Sequence, residues 1–326
     1  MLFVENTSLD PWLNIALEEY LLKNYDQEIV MLWRSKPSVI VGKHQNTLAE
    51  INLPFVIKNS IPVVRRLSGG GTVFHDPGNI NFTFIRRAPK ERLVDFKSHT
   101  QPVIDFLQTL GVDARFEGKN DIRVNGLKIS GNAEHVFRDK VLHHGTLLFD
   151  ADLGHLNEAI RAREELFDSK AIRSARSIVA NISEFLPQKI SRQEFMLQLK
   201  THLKKHFAIE QDYIPGPEDW RHTEELKASK YLKWEWNYAW SPVYTFRNAG
   251  NYHGVEWIVE LKVAKGIVES AQIVVEHKRL SDQHPLICSI TGAEHTPDRI
   301  AELLYTHQMG YAPASGYDWD LLALFF

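Results

Sequence analysis

Three consecutive glycines, Gly69, Gly70 and Gly71, separate two apolar runs in the N-terminal part of this 326-residue chain. Glycine loses more conformational freedom on ordering than any other residue, so such a run belongs in neither a helix nor a strand interior. The chain must place a loop there. The flanking runs, residues 61–64 and 79–85, are rich in β-branched and apolar residues and read as strands. Arg65, Arg66 and Ser68 precede the glycines, and Thr72, Val73, Phe74, His75 and Asp76 follow them. Glycine lets a backbone approach a ligand closely, and successive N–H groups can form an anion-binding concavity. An adjacent guanidinium pairs readily with a carboxylate or phosphate. A solvated surface turn has the same composition, so the loop alone names no ligand.

The surrounding pattern mixes helices and strands without regular alternation, which predicts an α+β fold. Asp10-Pro11 reads as a helix N-cap with proline in the first turn, followed by Leu13, Ala16, Leu17, Tyr20 and Leu21 at helical spacing. Residues 29–33, 38–41 and 144–149 read as further strands. Val103, Phe106, Leu107 and Leu110 mark a helix that stops at Gly111. Ser191-Arg-Gln-Glu194 is a capping box that opens a helix with Phe195, Leu199, Leu203 and His206 on one face. Beyond residue 245, Val255, Trp257, Val259, Leu261 and Val263 alternate with more polar residues. Residues 267–276 look like the antiparallel partner, and Thr296-Pro297 caps a helix through Ile300, Leu303 and Leu304. The expected organisation is therefore a domain over residues 1–245 and a small α/β domain over 246–326.

Several chemistries are disfavoured. Gly126 to Gly131 has Walker A spacing, but Asn132-Ala133 follows where Lys-Ser/Thr is required. Phe74 stands where a dinucleotide fingerprint needs glycine, and neither Ser68 nor Ser130 sits in a nucleophile elbow. His143 and His144 are neighbours on a predicted strand, so they point to opposite faces and make a poor joint metal site. A formal net charge of -3 gives no reason to expect nucleic-acid binding. The single cysteine, Cys288, permits no intrachain disulfide and reads as a core or near-core residue. No signal peptide or membrane span is apparent, so a cytoplasmic protein is expected.

The second informative stretch is Asn120-Asp121, then Asn125-Gly126, then Lys128-Ile-Ser-Gly-Asn-Ala133. Asn-Gly is a strong hairpin signal because both residues tolerate positive φ. Lys128 then begins a strand beside a segment suited to close backbone approach. An isolated lysine is ordinarily a surface charge, but a point cation here could stabilise a phosphoryl group in a transition state.

Together the stretches Arg66-x-Ser68-Gly-Gly-Gly-x-Val-Phe-His-Asp76, Gly118-Lys-Asn-Asp121, Lys128-Ile-Ser-Gly-Asn-Ala133 and His143-His-Gly-Thr-Leu147 resemble the lipoate–protein ligase A family in order and spacing. The resemblance covers most of residues 1–245. Residues 234–242 and the tail beyond them resemble the family's joining segment and accessory domain. It implies the catalytic fold shared by biotin– and lipoate–protein ligases and a two-step reaction. ATP and lipoate form lipoyl-adenylate, and a lysine of an acceptor then displaces AMP. The implied acceptors are lipoyl domains of 2-oxoacid dehydrogenase E2 subunits and the glycine-cleavage H-protein. Arg66, Gly71, Thr72, Val73 and Phe74 would contact ATP or the adenylate. Lys128, the catalytic residue, would contact both the lipoyl carboxyl and the α-phosphate. His75 would touch lipoate. Ser68, Gly69, Gly70, Asn120 and Asp121 are further candidates, Asp121 as a Mg2+ or ribose contact. The apolar acyl tail is expected among strand residues such as Val73 and Phe82. Lys119, where the family often has arginine, and Ala239, where it often has glycine, depart from the pattern at positions that carry no chemistry.

The rivals are an octanoyl or lipoyl transferase of the same superfamily, which works through a cysteine, a biotin ligase, whose Gly-Arg-Gly-rich signature is absent, and a non-catalytic lipoate-binding protein. A ligase needs no thiol. Cys288→Ser should therefore keep most of the lipoate- and ATP-dependent acyl transfer. Its complete loss in a folded variant, with a trapped thioester in the wild type, would favour the transferase.

Overall fold

The structure is a computed structural model that describes residues 1–87, 94–161, 163–307, 309 and 317–326. Two compact units are present. Residues 1–43, 62–157 and 174–233 form one, and residues 44–61, 158–173 and 234–326 form the other.

The first unit is built on an eight-stranded mixed sheet. Its strands lie in the order Asp212–Tyr213, Leu2–Glu5, Ile29–Trp33, Asn79–Arg87, Lys140–Leu148, Leu127–Phe137, Asp121–Val124 and Arg115–Glu117. The first two pairings are parallel and the others antiparallel. A second, three-stranded sheet places Ser38–Val41 between Val63–Arg65 and Val73–His75. The strand Val73–His75, right after the glycines, is too short for a period-2 signal to register in sequence.

Alternation along the strands gives the large sheet two distinct faces. Val30, Leu32, Ile80, Phe82, Phe84 and Leu147 pack with Val103, Phe106, Leu107, Phe195, Leu199 and Leu203 from the helices Phe96–Thr109 and Arg192–His206. The residues between them, Trp33, Asn81, Thr83 and His144, point to the opposite face and are also buried.

The helix Pro11–Asn24 begins as expected, with the Asp10 carboxylate accepting from the Trp12 and Leu13 N–H groups. Its burial is wider than one apolar stripe, because Asn14, Glu18 and Glu19 are buried as well. Glu19 is held by Lys23, Lys230 and Tyr231. Burial alone would raise its pKa, but these three partners outweigh it and lower it. The helix over residues 96–109 ends before Gly111, whose φ of +80° suits a residue without Cβ. The Asn125-Gly126 turn has φ of +51° and +78°, as its hairpin reading requires. In the helix Arg192–His206, Ser191 accepts from Glu194 N–H, and Phe195, Leu199 and Leu203 are buried. His206 is exposed, contrary to the expected face, because the apolar stripe ends at Leu203.

The second unit holds an antiparallel sheet in the order Phe167–Ser169, Tyr244–Tyr252, Val255–Ala264, Ile267–Val275 and Lys278–Arg279. Trp257, Val259, Leu261 and Val263 are buried on one face, as the alternation predicts. Buried His295 joins the Tyr244 hydroxyl at Nδ1 (2.7 Å) and the Phe325 carbonyl at Nε2 (2.7 Å). Cys288, expected near the core, is exposed. It lies on the short helix Pro285–Ile290, whose buried side is taken by Leu286, Ile287 and Ile290.

Burial holds His143 and His295 down to about 4 and His75 down to about 3. In the unfolded chain these imidazoles take up protons near pH ~6.5. Between that value and about pH 4 the unfolded chain binds more protons, so stability is full above the window and falls as pH drops through it. Melting midpoints measured from about pH 7.5 down to about pH 4.5 should decline progressively below about pH 6.5. A constant midpoint over that range would contradict the buried neutral imidazoles.

Candidate active site

The glycine loop is organised around Arg66. Its Nε donates to Ser68 Oγ (2.9 Å), and one terminal nitrogen donates to the Ile40 carbonyl (3.0 Å). The other donates to the carbonyls of Gly69 (2.6 Å) and Gly71 (2.7 Å). Gly70 has φ of +85°, and a Cβ there would sit 3.2 Å from the guanidinium. A Cβ on Gly71 would meet the backbone of Ser174 at 3.3 Å, and Thr72 N–H donates to Ser174 Oγ (2.9 Å). Arg65 is fully buried and donates to the carbonyls of Gly42 and Lys43. Burial and then the neighbouring Arg66 push its pKa down to about 10.

A narrow cavity of about 40 Å3 opens beside this loop. Ile15, Trp33, Ile40 and Val73 supply its apolar wall. Arg66, His75, Asn81, His144 and Thr146 supply polar groups, and Gly131, Ala133 and Gly145 complete it. His75 Nδ1 and Asn81 Nδ2 are buried and have no hydrogen-bond partner among the described residues. Val73 lines the cavity. Phe82 does not: strand alternation turns it into the helix-covered core and presents Asn81 instead. Phe74 is buried on the small sheet opposite Val39. Gly145 has no room for a side chain, since a Cβ would lie 2.2 Å from Asn132 Oδ1 and 2.4 Å from Phe82.

Lys128 sits on the strand after the Asn-Gly turn. Its backbone N–H and carbonyl pair with Ile178 and Ala180. Its ammonium lies 2.9 Å from Asp121 Oδ1, while Asp121 Oδ2 accepts from Arg123 (2.7 Å). A Cβ on Gly131 would be 3.1 Å from Lys128 Nζ, so the lysine folds over the backbone that lines the cavity. Asn120 donates to the Asn132 carbonyl, and Asn132 Nδ2 returns a bond to the Asn120 carbonyl (2.9 Å). These two asparagines clamp the strands that present Asp121 and Lys128.

Two groups absent from the sequence candidates also belong here. His144 Nε2 lies 2.6 Å from Ser68 Oγ, and its Nδ1 lies 3.0 Å from Glu18 Oε2. Glu18 Oε1 also accepts from Thr83 Oγ1 (2.6 Å), which in turn accepts from Trp33 Nε1 (2.9 Å). The signal for Glu18 was present: Ile15, Glu18, Glu19 and Leu22 share one helical face, so the acids interrupt an apolar stripe.

Among the described residues, His99, Glu134 and His143 form a group with metal-ligand chemistry. It lies on the other face of the sheet, because His143 and His144 alternate. Both histidines stand 2.9 Å from one Glu134 oxygen, which is hydrogen-bond spacing. Although burial works in the other direction, their N–H groups hold Glu134 down to about 2.

Residues 10–204 match the family described as the lipoyl protein ligase A/B catalytic domain. Lipoate-protein ligase LplJ of Bacillus subtilis (strain 168) is 39% identical over 313 residues, covering 93% of each chain. A bi-partite lipoate protein ligase of Thermoplasma acidophilum, studied with its E2 lipoyl domain, aligns with a TM-score of 0.64 at 25% identity, over 72% of this chain and 95% of that one. A lipoate-protein ligase A bound with ATP aligns with a TM-score of 0.62 at 25% identity, over 72% of this chain and 97% of that one. With more than half of its length matched by the catalytic-domain family and nearly all of it by a curated ligase, this chain belongs to the lipoate–protein ligase family.

Proposed function

We propose that this ligase uses ATP to convert lipoate to lipoyl-adenylate, releasing pyrophosphate, and transfers the lipoyl group to a lysine of a lipoyl domain as AMP departs. The observation that carries the assignment of the site is the position of Lys128. Its ammonium folds over Gly131, whose backbone lines the same cavity as Arg66 and Val73. A carboxylate and a triphosphate repel each other, and a point cation between them stabilises the charge that gathers as the acyl–phosphate bond forms. Asp121 holds Lys128 in place. The glycine loop, braced by Arg66, offers N–H groups to the nucleotide, with Thr72, Val73 and Phe74 fixing its exit. The acyl tail occupies the cavity, which must widen to admit it. There His75, kept neutral by burial, supplies a polar contact without a charge.

Mg2+ would enter with the triphosphate. Both oxygens of Asp121 already engage cations, Lys128 and Arg123, so Asp121 suits positioning of the lysine better than metal ligation. The acceptors we assign are E2 lipoyl domains and the glycine-cleavage H-protein, in the cytoplasm. No helix among the described residues is long and apolar enough to cross a membrane. The transferase alternative requires a thiol near the acyl group. No cysteine among the described residues lines the cavity.

Lys128→Ala should lower lipoate-dependent ATP–pyrophosphate exchange by on the order of 10²–10³, the usual cost of one preorganised transition-state contact. Lys128→Arg should rescue poorly, because a planar fork does not replace a compact charge. With preformed lipoyl-adenylate, transfer should suffer less than synthesis. Exchange near the wild-type rate in Lys128→Ala would remove the lysine from its central role.

A further inference from the structure

We infer that a cationic groove at one end of the large sheet, formed around Arg34 and Arg192, docks the acceptor protein by taking a carboxylate beside an apolar side chain. The inference rests on the ligase reading above and names a surface for its protein substrate. The groove measures about 230 Å3, and its residues all belong to the first unit. Strand alternation carries past Trp33, so Arg34 follows Leu32 onto the face that packs against the helix Arg192–His206, and both line the groove. Met196 lines it as well, and Arg192 stands one turn earlier on the same side of that helix. The two guanidiniums are close enough that Arg192 adds to burial in lowering the Arg34 pKa.

The pair lacks any counter-charge of its own. Lys200, the other cation of the groove, is held by Glu5 and Asp212. Among the described residues no carboxylate or carbonyl meets the guanidinium of Arg34 or Arg192, and Arg192 Nε is buried without a partner. Two like charges held together with an unmet donor cost the folded chain free energy. A carboxylate from outside, gripped by planar forks, relieves both. The apolar rim points the same way. Leu9 and Leu197 are 41% and 65% exposed on this one groove, and a small inorganic anion would leave them uncovered. Leucine beside arginine suits a protein surface that offers an acid next to an apolar residue. The chain's net charge of -3 gives no long-range attraction to such a surface, so the recognition is local.

Position selects the acceptor as that partner. Trp33 pairs with Asn81, Asn81 pairs with Thr146, and Thr146 Oγ1 accepts from the N–H of Gly131, the residue over which Lys128 folds. Three strand spacings, roughly 14 Å, therefore separate Trp33 from Gly131. A standard interface covers roughly 800 Å2 per partner, a patch about 30 Å across. An acceptor whose lysine reaches the acyl group at Lys128 thus extends over Arg34 as well.

The test is transfer from preformed lipoyl-adenylate to an unlipoylated lipoyl domain, run beside lipoate-dependent ATP–pyrophosphate exchange without acceptor. The double variant Arg34→Ala/Arg192→Ala should raise the acceptor KM roughly tenfold, the scale on which arginine anchors act at interfaces. The maximal transfer rate and the exchange rate should stay unchanged. Added salt should raise the wild-type acceptor KM, and this sensitivity should shrink in the double variant. Leu197→Ala should raise the same KM by a smaller factor. An unchanged acceptor KM in the folded double variant would overturn the inference. An equal loss of exchange would overturn it too, because the damage would then lie in activation and not in docking. A wild-type dimer that the double variant dissolves, with the acceptor KM unchanged, would assign the groove to a second copy of this chain. Wild-type protein inactive in both assays would sink the ligase reading itself, and the docking surface with it.

Discussion

A guanidinium taken out of water costs several kcal/mol unless its N–H groups find acceptors, and the site is shaped by how Arg66 meets that demand. It draws in the carbonyls of Gly69 and Gly71. A trans peptide points its N–H opposite to its C=O. Turning the Gly69 carbonyl inward therefore turns the Gly70 N–H away from the arginine. The glycines supply the freedom, most visibly at Gly70 with its φ of +85°, and the arginine selects one conformation from that freedom. Arg65, also buried, braces the preceding strand through the Gly42 and Lys43 carbonyls.

The large sheet separates packing from chemistry by the simplest device available to a strand. Phe82 and Phe84 face the helical core, while Asn81 and Thr83 face the cavity and the Glu18 chain. His143 and His144 repeat this division one strand away: His143 is satisfied by Glu134, and His144 links Glu18 to Ser68. A register slip of one residue would exchange the two faces, so the buried core on one side also fixes the chemistry on the other.

Much of this was legible in the sequence. The glycine run, the Asn125-Gly126 turn and the Asp10 cap are local signals with local causes, and each appears where expected. Strands with β-branched runs, such as Ile29–Trp33 and Ser38–Val41, were also readable. The short strand Val73–His75 gives no alternation of its own, because it exists through pairing rather than propensity. Phe82 alternates with Asn81 and Thr83 along Asn79–Arg87, so its facing toward the helical core was readable from the period of 2, and placing it beside the acyl tail ran against that signal. The Glu18–His144–Ser68 chain joins residues distant in sequence, and only Glu18 carried any mark, as an acid on an apolar helical face.

The path of the chain bears on how the protein is made. The polypeptide enters the second unit at residue 44, leaves it after 61, returns for 158–173 and settles there from 234 onward. The edge strand Phe167–Ser169 pairs with Tyr244–Tyr252, which is translated much later. On the ribosome, then, the second unit's first segments emerge long before their partners exist. They must wait while the large sheet of the first unit acquires its last strand, Asp212–Tyr213. A chain truncated near residue 245 would strand those early segments permanently, leaving apolar groups such as Phe167 without the sheet that covers them.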